Sequence, residues 1–116
     1  MQYMLLIYGD PSAAPAYDSP EGQAEYQEWF RYTEELAQAG ALVKGDPLEP
    51  PETATTVRGA GGEIVHTDGP FAETKEILGG YYLIDVPDLD AALAWAAKMP
   101  NISYGAVEVR PIQVVG

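Results

Sequence analysis

A chain of 116 residues, 47% hydrophobic and 21% charged, has the size and composition of a single globular domain. Eighteen acidic against six basic side chains give a net charge of -12, and Arg31, Lys44, Arg58, Lys75, Lys98 and Arg110 stand singly, so no basic patch offers itself to a phosphate backbone. With no cysteine there is no disulfide framework, thiolate metal site or thiol nucleophile, and the acidity itself speaks first to solubility.

Gln2 to Tyr8 is a short apolar run closed by Gly9-Asp10-Pro11, which predicts a buried strand. The Ala- and Pro-rich stretch from Ser12 to Tyr17 reads as loop. Ser19 then fits a helix N-cap, with Pro20 at the first helical position and Glu21 at the positive end of the helix dipole. Tyr26, Trp29, Phe30, Thr33, Leu36 and Ala37 recur at helical spacing and predict the buried stripe, and Gly40 ends the helix as its C′ residue.

Ala41 to Leu48 reads as a strand bent by Gly45 and Pro47, after which Pro50-Pro51 demands an edge or a loop. Thr53 to Arg58 and Glu63 to Thr67, joined through Gly59-Ala60-Gly61-Gly62, predict a β-hairpin. Asp68-Gly69-Pro70-Phe71 is turn chemistry, and Gly79 to Val86 follows as a central strand. Asp88 caps a second helix with Leu89, Ala92, Leu93, Ala96 and Ala97 as its apolar stripe. A final strand runs from about Ala106 to Val115, with Pro111 placing it at an edge or a bulge.

This order gives an α+β domain over residues 1–116: a ferredoxin-like split βαβ with an inserted β-hairpin. Two helices cover one face of such a sheet, yet Met4-Leu5-Leu6-Ile7 and Tyr81-Tyr82-Leu83-Ile84 are apolar on both faces. A homodimer is therefore expected to cover the other face. No apolar run approaches the ~20 residues of a membrane-spanning helix. The chain opens on a strand-like run without a basic leader, so a cytoplasmic protein with no membrane association and no direct nucleic-acid contact is expected.

The segment Asp68-Gly69-Pro70-Phe71-Ala72-Glu73-Thr74-Lys75-Glu76, followed by Leu78-Gly79-Gly80-Tyr81-Tyr82-Leu83-Ile84-Asp85, resembles the signature of the DGPF branch of the YCII-related proteins. The opening Met1-Gln2-Tyr3-Met4-Leu5-Leu6-Ile7-Tyr8-Gly9-Asp10, the stretch Pro50-Pro51-Glu52-Thr53-Ala54-Thr55-Thr56-Val57-Arg58 and the stretch Gly105 to Ile112 resemble the family in the same order. The resemblance implies a dimeric α+β barrel of bacterial origin, often encoded near an extracytoplasmic-function sigma factor, with no generally assigned activity. Related YCII-type proteins are thought to pair a histidine on the first helix with an aspartate near the end of the second. Here Glu21 to Ala39 holds no histidine, and the stretch after Trp95 reads Ala96-Ala97-Lys98-Met99, so that acid–base pair is missing.

The charged loop after the turn is the candidate ligand-binding region, with Asp68, Phe71, Glu73, Lys75, Glu76 and Tyr81 as its residues. His66, the only histidine, stands two residues before Asp68, so the two share one face of an extended segment and form a candidate acid–base couple. A metal site lacks further ligands nearby. Gly79-Gly80 opens a strand instead of a helix and is no phosphate loop, and Ser12, Ser19 and Ser103 have no histidine partner, so no metal or cofactor is expected. Tyr81, Tyr82 and Tyr104 are expected to pack in the core or at a dimer contact with the phenol at the edge; the alternative is an aromatic pocket, with Arg58 or Arg110 to meet an acidic ligand. The leading expectation is a ligand-binding or accessory module. The alternatives are a lyase or isomerase acting through His66 and Asp68, and an interaction partner in sigma-factor regulation.

Overall fold

The computed structural model describes residues 1–115; Gly116, the last residue of the expected domain, lies outside them. Strands β1 (Gln2–Gly9), β2 (Leu42–Pro47), β5 (Ile77–Asp85) and β6 (Gly105–Pro111) form one antiparallel sheet in the order β2-β5-β1-β6. Strands β3 (Thr55–Ala60) and β4 (Glu63–Asp68) pair only with each other, as the hairpin inserted between β2 and β5. Helices α1 (Pro20–Gln38) and α2 (Leu89–Ala97) supply the two crossovers. This is the ferredoxin-like arrangement expected from the order of elements.

Local chemistry sets the helix starts and the end of α1 where the sequence placed them, whereas the first hairpin strand runs Thr55–Ala60, two residues beyond the expected Thr53 to Arg58. The Ser19 hydroxyl accepts the Gly22 amide at 3.0 Å and opens α1, and Asp88 Oδ1 accepts the Ala91 amide at 2.9 Å and opens α2. At the end of α1 the Ala41 and Gly40 amides return to the Leu36 and Ala37 carbonyls, the paired bonds that close a helix on a C′ glycine. Gly61 and Gly62 hold φ of 58° and 83°, the left-handed pair that a two-residue hairpin turn requires. Gly79 is the extra residue where the β1–β5 register shifts, since Ile7 faces Gly80 and Tyr8 faces Leu78. Strand β6 is an edge strand ending at Pro111, four residues short of the expected Val115.

The core lies between one face of the sheet and the two helices. Leu5, Leu36, Ile84 and Met99 are fully buried, joined by Tyr3, Tyr32, Tyr82, Val86 and Ala92. Both helices keep part of the stripe read in sequence, Trp29, Thr33 and Leu36 on α1 and Ala92 and Ala96 on α2, but are rotated from it. On α1 the buried or half-buried positions are Gly22, Glu25, Trp29, Tyr32, Thr33 and Leu36, whereas Tyr26, Phe30 and Ala37 are exposed. On α2, Ala91, Ala92, Trp95 and Ala96 face in, and Leu89, Leu93 and Ala97 face out. Trp29, Tyr32, Tyr82 and Trp95 pack edge-to-face or stacked with ring centroids 5.6–6.4 Å apart. The hydroxyls of this cluster find partners: Tyr32 donates to the Trp95 carbonyl at 2.8 Å, and Tyr82 and Thr33 share a 2.6 Å bond. Burial raises the pKa of the Tyr32 and Tyr82 phenols above the usual tyrosine value.

The opposite face of the sheet carries Met4, Leu6 and Tyr8 from β1 and Tyr81 and Leu83 from β5. All are half-buried by their strand neighbours and absent from the core cluster. No helix of the described residues is long and apolar enough to cross a membrane.

Candidate functional site

The chain between β4 and β5 is tied down at its start by backbone bonds and a threonine. The Gly69 amide donates to the Ala54 carbonyl at 2.7 Å, and Thr56 Oγ1 donates to the Gly69 carbonyl at 2.8 Å. Gly69, at φ of 103°, turns the chain there. The Asp68 carboxylate makes none of the turn bonds expected of it. Its neighbour two residues on is Pro70, which has no amide to offer.

Opposite this loop, the segment after β2 is pinned by the Leu48 amide on the Gly79 carbonyl at 2.9 Å. It then folds into a short 3-10 turn at Pro51–Thr53. The two segments stand apart and leave a groove of about 1140 Å³ between them, floored by Tyr8 and the start of β5. Its apolar surface comes from Leu48, Pro50, Pro51, Pro70, Phe71 and Leu78. Thr53, Thr55, Thr56, Glu73 and Lys75 place hydroxyls and charges among them. A largely apolar concavity with a few polar groups is the usual form of a small-molecule site.

Two side chains of the loop are held from neighbouring elements. The Arg58 guanidinium of β3 sits 4.7 Å from the Phe71 ring centroid, a cation–π contact that positions an otherwise exposed aromatic. Lys75 Nζ lies 3.8 Å from Asp10 Oδ2, just beyond the end of β1. Asp10 is itself fixed, its Oδ1 accepting the Ser12 hydroxyl at 2.7 Å and the Ser12 amide at 2.9 Å. Those bonds, with Lys75 nearby, hold the Asp10 carboxyl below its ordinary range.

Of the residues singled out in sequence, Phe71, Glu73 and Lys75 line the groove, and Asp68, Glu76, Tyr81 and His66 do not. Tyr81 points its hydroxyl to Asp46 Oδ2 at 2.7 Å, and that bond raises its pKa. His66 and Asp68 lie two apart on β4, opposite Val57 and Thr55, on a strand exposed along its whole length. No hydrogen bond joins them among the described residues. Tyr81, Tyr82 and Tyr104 do not gather into one pocket, because Tyr82 is in the core and Tyr104 bonds Glu25 on α1. Arg110 pairs with Glu108 at 3.3 Å.

The sequence reading passed over the far wall of the groove, from Leu48 to Thr56, and the anchoring Asp10. The signal was present in Leu48-Glu49-Pro50-Pro51, where apolar residues sit in a stretch that proline bars from a sheet interior.

A four-stranded antiparallel sheet with two helices on one face and a loop-built groove at its edge defines a ferredoxin-like α+β domain with a small-molecule-sized concavity. The chain belongs to the YCII-related domain family, whose model matches residues 1–115. An uncharacterized protein of Rhizobium meliloti (strain 1021) is 40% identical over 114 residues, covering 97% of this chain and 92% of that protein. Among solved structures, the fold is similar to that of 5-chloro-2-hydroxyhydroquinone dehydrochlorinase from Burkholderia phenoliruptrix AC1100 in complex with 2,5-dihydroxybenzoquinone. The TM-score is 0.52 at 14% identity, over 97% of this chain and 94% of that one.

Proposed function

We propose that this protein is a small-molecule-binding module of the YCII-related family whose site is the groove between Leu48–Thr56 and Gly69–Leu78. The observation that carries this reading is the groove itself: apolar walls with Phe71 held by Arg58 at one side and Lys75 held by Asp10 at the other. A flat ring bearing oxygen substituents suits that pairing. The ring packs on Pro50, Pro70 and Phe71, and Lys75 meets a phenolate or carboxylate oxygen. The complex of the dehydrochlorinase with a dihydroxybenzoquinone gives a precedent for such a ligand on this fold.

The acid–base alternative through His66 and Asp68 has less behind it, because neither residue lines the groove. The bare face of the sheet supports a homodimer as the assembled form, which sets how far a partner closes the groove.

The test is a thermal-shift screen of hydroquinones, dihydroxybenzoquinone and benzoates against the wild type, Phe71→Ala and Lys75→Ala. A hit is expected to raise the melting temperature of the wild type and to weaken by roughly fivefold or more in each variant, the scale of one lost cation–π-supported ring or ion pair. Undiminished shifts in both variants would take the ligand out of this groove.

A further inference from the structure

On the helical side of the molecule, separate from the groove, a second concavity of about 250 Å³ is lined by Pro15, Tyr17, Gly22, Glu25, Tyr26 and Trp29. Its walls are built by a close approach of loop and helix. A Cβ on Gly22 would lie 1.9 Å from the Ala16 carbonyl oxygen, so only glycine lets the loop after β1 rest on the first turn of α1. Ser19 Oγ donates to that same carbonyl at 2.6 Å, and Gln23 Nε2 donates to the Tyr17 carbonyl. Tyr17 meets Tyr26 edge-to-face at 5.5 Å, which fixes two of the three rings relative to one another. Trp29, the third, is half-buried and stacks toward Tyr82 of the core.

Glu25 brings a carboxylate to these rings. Its oxygens accept the Tyr104 hydroxyl at 2.7 Å each, and no lysine or arginine lies within salt-bridge distance of it among the described residues. Tyr104 is presented by the turn in which the Tyr104 and Gly105 amides return to the Asn101 carbonyl. A neutral phenol satisfies only part of a carboxylate's hydrogen-bonding capacity and none of its charge. The groups around it add to the negative potential: Asp18, Glu21 and Glu28 flank it on the loop and helix, and the chain carries -12 overall.

Aromatic faces attract a cation through their quadrupole, and a carboxylate with no cationic partner completes the attraction. We propose that this pocket binds a small organic ammonium group, with Glu25 as the counter-charge and Tyr17, Tyr26 and Trp29 as the aromatic walls. Tyr104 is a positioning residue: its hydroxyl orients the carboxylate, and its phenol stays protonated because burial, then the bond to Glu25, raises its pKa. The volume accommodates a tetramethylammonium head or a methylated amine and excludes a large ring.

Titration of the protein with choline, followed through the indole N–H signals of Trp29 and Trp95 by NMR, tests the assignment. Trp95→Phe identifies which signal belongs to Trp29. Choline is expected to shift the Trp29 signal saturably. Its uncharged carbon analogue, 3,3-dimethylbutanol, is expected to bind at least about fivefold more weakly, the scale of a cation–π and carboxylate contribution. Glu25→Gln is expected to abolish that preference for the charged ligand, whereas Glu34→Gln, exposed further along the same helix, keeps it. Methylammonium and guanidinium as further arms show whether bulk or hydrogen-bonding capacity is preferred. Equal binding of choline and its uncharged analogue, an unchanged preference in a folded Glu25→Gln variant, or no saturable shift at all would overturn the proposal. None of these outcomes bears on the groove at Phe71 and Lys75.

Discussion

The carboxylate of Asp10 accepts two bonds from Ser12 and faces the Lys75 ammonium, so one short motif couples the end of β1 to the loop that walls the groove. The pH behaviour of the motif follows from the direction of its shift. The folded-state pKa of Asp10 lies below its ordinary value of 3.8, so the stabilising contribution is complete above that value. It is lost as pH falls through the lower, folded value. Ser12→Ala is therefore expected to lower the denaturant midpoint at neutral pH, and the difference from wild type is expected to shrink as pH falls below the ordinary carboxylate range and vanish once Asp10 is protonated in the folded state. A difference that persists unchanged in acid would assign the effect of Ser12 to loop packing instead. At this scale the sequence was legible for Phe71, Glu73 and Lys75, because charges and a ring after a Gly-Pro turn advertise an exposed loop. Asp10 was not, because its importance depends on Lys75, far away in the chain and brought close only by the β1–β5 pairing.

Elements were easier to locate than to orient. Ser19, Gly40 and Asp88 act through bonds to their own helices, so the helix ends could be read locally. Which side of α1 faces the sheet is a tertiary matter. Tyr26, Trp29, Phe30, Tyr32, Leu36 and Ala37 spread apolar or aromatic groups around much of the helix, and several stripes are compatible with that pattern. The stripe chosen by the sheet brings in Tyr32, whose hydroxyl can reach the Trp95 carbonyl, and leaves Phe30 58% exposed. Leu36→Ala is accordingly expected to cost about 2–5 kcal/mol, the range for emptying a fully buried leucine site. Phe30→Ala is expected to stay within about 0.5 kcal/mol of wild type, as at other surface positions. Chemical denaturation of both variants checks the pair; a loss at Phe30 as large as that at Leu36 would return Phe30 to the buried stripe expected from sequence.

The molecule measures 48 × 46 × 18 Å, and its thin dimension is that of one sheet with a single helical layer on it. Its radius of gyration is 16.2 Å, above the roughly 13 Å of a compact chain of this length. The paired strands β3 and β4, exposed except at Thr56, form an arm that fits this extension. Val57 and Ile64 stand 60% and 70% exposed on that arm. Meanwhile Met4, Leu6, Tyr81 and Leu83 form an apolar sheet face with no layer over it, in register as the pairs Met4–Leu83 and Leu6–Tyr81. A monomer seldom leaves such a surface in water, and a second copy presents an identical one, so we propose a two-fold pairing of sheet faces that would bury both. Sedimentation of the wild type is expected to give twice the 12.5 kDa chain mass. Leu83→Glu places a carboxylate in the middle of that contact, where an unpaired buried charge is costly, and is expected to sediment as a folded monomer with the same far-ultraviolet circular dichroism. A wild type that sediments as a monomer at tens of micromolar, or a Leu83→Glu variant that stays dimeric, would move the partner surface elsewhere, with the hairpin arm next in line.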